Sequence, residues 1–299
     1  MRRLLPLALL LLAACTTAAP PPATDLASSI DAILASVPAG HTVAVAFTDL
    51  ETGATLERDA GVVMHAASTM KVPVMLTLFE AIDRGELRLD QPVPVRNSFR
   101  SIVDGSEFTL LREEDGDASL YDSVGQSLPL EELMRRMIVR SSNLGTNLLI
   151  ELVGAPRVMD LMRRLGANDI RVLRGVEDEK AFEAGLNNVT TARDLMIVMN
   201  AIAEQKAVTP AASAAMVAIL RAQEFREKIP AGVPPGVVVA NKTGSITRIS
   251  HDAAIVYPPG RAPYVLVVLT RGYQDGNDAS KIIASISKAV WDSVAGPGR

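Results

Sequence analysis

Ser68-Thr69-Met70-Lys71 sets a hydroxyl and an amine three residues apart, and on a helix such a pair shares one face with Cβ atoms about 5–6 Å apart. There the amine can reach the hydroxyl and activate it, which matters because an unassisted serine is a poor nucleophile. A serine opening a helix also lies beside unpaired backbone N–H groups and the positive end of the helix dipole, both of which favour an oxyanion. Pro73 fits a helix start, where its missing N–H leaves nothing unpaired. The same spacing recurs at Ser285-Ile286-Ser287-Lys288 in the last helical pattern, so the pair carries little weight by itself. Two further groups give it company. Ser141-Ser142-Asn143 stands at the break between two helical patterns, where a hydroxyl and a carboxamide can project into a cleft or merely cap a helix. Lys242-Thr243-Gly244-Ser245 closes a Val-rich strand, and its glycine either lets a substrate approach the backbone or marks a plain strand end.

In this order the three groups resemble the motifs of the serine penicillin-recognising enzymes, and among them the class A β-lactamases and their relatives. The resemblance runs from about Asp25 to Ala295. It implies that Ser68 is the acylated nucleophile, Lys71 an activating amine and Ser141 the proton carrier to the leaving nitrogen. It implies further that Asn143 binds the substrate amide, that Lys242 and Thr243 hold the substrate carboxylate, and that the N–H groups of Ser68 and Ser245, the latter just past Gly244, form the oxyanion hole. Which group takes the first proton is left open.

Two departures from the class A pattern stand out. Ser142 occupies a position where class A enzymes usually carry Asp. The water-activating glutamate of that class stands in a Glu-x-x-Leu-Asn pattern ahead of a Thr-Thr pair. Glu183-Ala184-Gly185-Leu186-Asn187 matches the letters but lies too close to Thr190-Thr191, whereas Glu177 has nearly the right separation and no Asn four residues on. Glu177 is preferred over Glu183, because distance from a fixed helix start positions a base better than letters do. The plain alternative is that neither glutamate enters the site, as an exposed carboxylate is usually only solvated. Arg174 and Asn188 are candidates for the polar contact closing the neck of that loop. The implied reaction is cofactor-free and metal-free opening of β-lactam amides through an acyl-enzyme. A D-alanyl-D-alanine peptidase or other cell-wall amidohydrolase acting on cell-wall peptide is the alternative. A penicillin-binding sensor or a non-catalytic peptidoglycan-binding module is the second. A competent deacylating carboxylate separates the first reading from the others.

The elements that must hold these groups follow from apolar periodicity. Leu26, Ile30, Ile33, Leu34 and Val37 mark an amphipathic helix stopped by Pro38. Thr42 to Phe47 and Ala54 to Leu56 read as strands around a turn, and Val237 to Ala240, Ala253 to Tyr257 and Tyr264 to Thr270 as three more. Between them lie helical patterns at Met70 to Arg84, Leu130 to Ile138, Leu148 to Val153, Val158 to Leu165 and Ala192 to Ala203, and a closing helix spans Ala279 to Val294. The fold class is therefore α/β: a discontinuous α/β sandwich domain, its antiparallel sheet flanked by helices, over 25–67 and 222–299, with an all-α insertion domain over 68–221. Thr191 and Asp194 suggest a capping box. Arg248 and His251 could add positive charge past the lysine motif, although surface placement is the plainer reading. Tyr121 could wall the cleft or simply pack.

Composition narrows the remaining classes. The 299 residues contain one cysteine, Cys15, which excludes an internal disulfide and any site built on several thiolates. Only three histidines are present, and His41 and His65 have no spaced partners, which argues against a zinc site or a Ser-His-Asp triad. A net charge of −4 without a basic run argues against nucleic acid. Arg2 and Arg3 precede an apolar run from Leu4 to Ala14, too short to span a bilayer of about 30 Å, so it reads as an export signal over 1–14. Its end, Leu12-Ala13-Ala14-Cys15, resembles the bacterial lipobox, in which the cysteine is lipidated. Residues 15–24, with Pro20, Pro21 and Pro22, then form a stiff tether. The expectation is a monomer held by a lipid anchor on Cys15 to a membrane, facing the periplasm or the cell exterior.

Overall fold

The computed structural model describes residues 26–295; the leader, Cys15 and the tether lie outside the described residues. A five-stranded antiparallel sheet is built from both ends of the chain: β1 (Thr42–Asp49), β2 (Thr55–Arg58), β3 (Val238–Ile246), β4 (Ile249–Tyr257) and β5 (Tyr264–Arg271), in spatial order β2-β1-β5-β4-β3. The central strands are apolar on both sides because both faces are covered. Val43, Val45 and Phe47 of β1 enter one core, together with α1 (Leu26–Ala35) and the closing helix Gly276–Ala295. Ala44 and Ala46 enter the other core, which is completed by the helices between β2 and β3.

Those helices are α2 (Lys71–Asp83), α3 (Leu130–Val139), α4 (Asn143–Val153), α5 (Ala155–Leu165), the short α6 (Glu179–Glu183), α7 (Ala192–Ala203) and α8 (Pro210–Arg221), so the closing helix is α9. Every residue of α2 from Lys71 to Ala81 is buried, as expected for a helix that is apolar all round. Lys71 at its start and Glu80 near its end are the charged exceptions. A charged residue in that setting must find partners.

Several boundaries differ from the sequence expectation for physical reasons. The Ser68 turn is a 3₁₀ segment, Ala67–Met70, ahead of α2 rather than its first α-turn. β3 continues through Lys242-Thr243-Gly244-Ser245 instead of ending before it, because pairing with β4 sustains a polar stretch that no hydropathy pattern reveals. α4 begins at Asn143 rather than Leu148; Gly145, Thr146 and Asn147 hide its first turn. α8, rich in alanine, escapes a periodicity reading altogether.

Candidate active site

Ser68, Ser141, Asn143, Thr243 and Ser245 line one cleft of about 210 Å³, with Glu114, Gly116, Phe225 and Glu227 completing it. Ser68 is half-buried, and its hydroxyl has no hydrogen-bond partner among the described residues. β3 passes directly behind it: a Cβ on Gly244 would lie 3.0 Å from the backbone N of both Ser68 and Thr69. That glycine serves the packing of strand against turn, beyond any room it leaves for a ligand.

Lys71 is fully buried, and its Nζ donates to the Ser141 carbonyl at 2.6 Å, to Ser141 Oγ at 3.1 Å and to Asn143 Oδ1 at 3.0 Å. The three donors of the ammonium are thus used on the α3–α4 junction, and the amine is not hydrogen-bonded to Ser68 as the i, i+3 spacing suggested. Burial pulls its pKa down to about 7, against the opposing pull of Asp115 and Glu177. Lys242 reaches the same hydroxyl from β3, donating to Ser141 Oγ at 3.1 Å. Its pKa lies well below the usual lysine range, through burial first and then the charges of Lys71 and Lys228. Ser141 Oγ therefore accepts from two amines at once.

Asn143 carries the network onward, because its Nδ2 donates to Glu177 Oε1 at 2.7 Å. The Glu177 carboxyl is half-buried, with its pKa raised chiefly by desolvation. Glu183 instead sits exposed on α6. Ala67, Ser141 and Glu177 all have φ in the left-handed region, at 46°, 62° and 62°. For residues other than glycine such a conformation costs of order 1–3 kcal/mol and persists only where the surroundings impose it.

The sequence profile described as "Beta-lactamase enzyme family" matches residues 25–294. The chain belongs to the beta-lactamase enzyme family. A beta-lactamase of Bacteroides uniformis is 25% identical over 284 residues, covering 91% of this chain and 92% of its own. A solved beta lactamase from Xanthomonas campestris pv. campestris superposes with a TM-score of 0.78 at 25% identity, over 90% of this chain and 97% of its own. PBP-A superposes with a TM-score of 0.76 at 25% identity, over 91% of this chain and 98% of its own.

In this beta-lactamase-family chain the loop bearing Glu177 is closed at its neck as the sequence suggested. Asn188 Oδ1 accepts from the N–H groups of Leu173 and Arg174, its Nδ2 donates to the Arg174 carbonyl, and the Arg174 guanidinium donates to the Leu186 carbonyl and to Asn187 Oδ1. Thr191 caps α7 by accepting from the Asp194 N–H. The reciprocal half of a capping box is missing, since the Asp194 carboxylate is turned to the N–H groups of Asp169 and Ile170. Ser285 and Lys288 bond within the exposed face of α9 and are remote in role from the cleft.

Four contributors carried no sequence signal. Asn147, one turn beyond Asn143 on α4, accepts from Val176 N at 2.6 Å and donates to its carbonyl at 3.0 Å, gripping the residue before Glu177. Lys228, buried, donates to Ser245 Oγ at 2.9 Å and to the His251 carbonyl at 3.2 Å, which adds a third amine behind the cleft. Asp115 accepts from the first N–H groups of α4. His65 accepts from Ala67 N at 3.0 Å, holding the left-handed residue beside Ser68. His251 corrects the expectation of surface placement. It is fully buried, and burial pushes its pKa to about 4, so it is neutral and supplies no charge. Its Nδ1 accepts from Thr270 N while Nε2 donates to the His65 carbonyl. Arg248 is exposed at the β3–β4 turn, and Tyr121 packs partly buried on the helical core.

Proposed function

We propose that this chain is an exported, lipid-anchored serine β-lactamase that opens the lactam amide through an acyl-enzyme on Ser68. The observation that carries the reading is the shared hydroxyl of Ser141, held between the Lys71 and Lys242 amines and linked through Asn143 to Glu177. In this reading Lys71, with a pKa of about 7, is neutral often enough at physiological pH to take the Ser68 proton as Oγ attacks the lactam carbonyl. The proton then passes through Ser141 to the departing lactam nitrogen. The N–H groups of Ser68 and Ser245 stabilise the oxyanion. Lys242, Thr243 and Ser245 take the substrate carboxylate, and that anion supplies a counter-charge that favours the protonated form of the buried Lys242. Glu177 activates the water that releases the acyl group. A carboxyl with a raised pKa hydrogen-bonded inside the site supports hydrolysis over the slow release expected of a cell-wall peptidase. A match over 92% of the length of a relative named beta-lactamase, from Bacteroides uniformis, supports the same choice. Anchoring rests on the Leu12-Ala13-Ala14-Cys15 sequence.

The test is incubation of the soluble Thr16–Arg299 form with a chromogenic cephalosporin, following turnover and intact mass together. Sustained hydrolysis that Ser68→Ala abolishes is the expected result. A stoichiometric burst with a lasting adduct would turn the reading to a peptidase or sensor, and no adduct at all would overturn the site. For the anchor, Cys15→Ser is expected to move the full-length protein from the membrane fraction to the soluble exported fraction.

A further inference from the structure

We propose that Asp115 is the positioning carboxylate of the second motif, supplied from a loop 27 residues upstream of Ser142 in place of an acidic residue within the motif itself. The inference rests on the functional reading above. Its basis is geometric. The Asp115 carboxylate is buried and accepts from Asn143 N at 3.0 Å and from Leu144 N at 2.7 Å, and the Ser142 hydroxyl donates to it at 3.5 Å. These are unpaired N–H groups of the first turn of α4, where a carboxylate is favoured by both hydrogen bonding and the helix dipole. Ser142 is the N-cap residue in the ordinary sense, accepting from Gly145 N at 3.1 Å. The negative charge, however, comes from Asp115.

The residues on either side bind the same junction. Gly116 is packed so tightly that a Cβ there would lie 2.2 Å from the Arg140 carbonyl oxygen. Asp117 pairs with Arg136 at 2.9 Å and with Arg140 at 3.4 Å, both at the C-terminal end of α3, and its N–H donates to Asp115 at 2.8 Å. Three consecutive residues thus clamp the α3–α4 break. Between them Ser141 is held at a φ of 62°, with its carbonyl and hydroxyl both turned to the Lys71 amine. Asp115 touches none of the groups that would react. It acts through Ser141 and Asn143 by fixing the backbone that presents them, and through its charge, which opposes the loss of the Lys71 proton. The other charged groups facing Lys71 are Glu177 from the loop and Lys242 from β3.

The test moves the carboxylate rather than only removing it. Asp115→Asn and the double variant Asp115→Asn/Ser142→Asp are compared with the parent chain by acylation rate and by NMR titration of ¹³C-labelled lysine at Lys71. The expected result for Asp115→Asn is an acylation rate lower by at least tenfold and a Lys71 midpoint below that of the parent. The double variant is expected to return both to within about threefold and to near the parental midpoint, because the charge is restored at the same helix end. If Asp115→Asn does not fold, the double variant carries the test alone. A folded double variant with slow acylation, a double variant that also fails to fold, or an Asp115→Asn protein matching the parent in rate and titration would each overturn the proposal. The lysine titration needs no β-lactam. A parent chain that no β-lactam acylates would therefore refute the functional reading while the carboxylate swap was still being judged.

Discussion

Burial of Lys71 acts in opposite directions on reactivity and on stability. With the amine at about 7, the free base proposed to accept the Ser68 proton accumulates as pH rises through neutrality. The acylation rate is therefore expected to climb with pH up to a plateau above about 7, measured as the pH profile of kcat/KM for a β-lactam. For stability, the unfolded lysine keeps its proton up to its ordinary value of 10.5 while the folded one releases it near 7. Between those limits the unfolded chain binds more protons, so stability rises with pH across that window. Lys71→Met removes one such group, and a series of Tm values from pH 7 to 10 should be less steep in the variant than in the parent. The two glutamates give an equally direct contrast. Glu177→Gln removes the proposed base and is expected to slow deacylation by about 10²–10⁴-fold, trapping an adduct visible by intact mass. Glu183→Gln, altering an exposed side chain on α6, is expected to leave turnover within about twofold, as surface changes usually do.

At the scale of elements, α4 is the piece on which the site depends most, because one face of it carries both Asn143 and Asn147. The first holds the Glu177 carboxylate and the second grips the Val176 backbone, so the loop is latched to one helix at two successive turns. Asn147→Ala should release the backbone latch while leaving Ser68, Lys71 and Ser141 in place. The expected outcome is a loss confined to deacylation, of the order of tenfold or more, seen by stopped-flow as acyl-enzyme building up at an unchanged acylation rate. Gly175→Ala should act alike, since its Cβ would sit 2.4 Å from Asn147 Oδ1. This latch also shows where sequence reading stops. Ser68 to Lys71, Ser141 to Asn143 and Lys242 to Ser245 are contiguous in the chain, so type and spacing made them visible. Asn147, Lys228 and Asp115 reach the site only through folding, from a helix turn, a loop before β3 and a loop before α3, and each is an unremarkable polar residue locally. The sheet was legible wherever apolar runs marked it. β3 extended beyond its apolar part because cross-strand pairing, not composition, carries Lys242 and Thr243.

For the molecule as a whole, the sheet is the shared wall of two cores. Alternate residues of β1, β4 and β5 supply Ala44, Ala253, Val265 and Leu269 to the helical side, and Val43, Val45, Ala254, Leu266 and Val268 to the side of α1 and α9. The Ser68 turn and β3 meet on the helical side, and Gly244 is the point of contact. Removing either layer of helices would expose half of every central strand, a loss of apolar burial worth about 25 cal/mol per Å² that the remaining layer could not offset. One cooperative transition should follow, with the same midpoint whether followed by far-UV circular dichroism or by calorimetry. Ile286 and Leu133 test this from opposite sides: both are fully buried, Ile286 on α9 and Leu133 on α3. Cutting either to alanine should cost about 2–5 kcal/mol from lost transfer energy and the cavity left behind. For a chain of this size that lowers the single Tm by roughly 3–9 °C. Ile286→Ala should do so with kcat/KM unchanged at 25 °C, because α9 lies across the sheet from Ser68. Two resolved transitions in the heat-capacity trace, with only one of them displaced by each substitution, would show instead that the layers unfold independently.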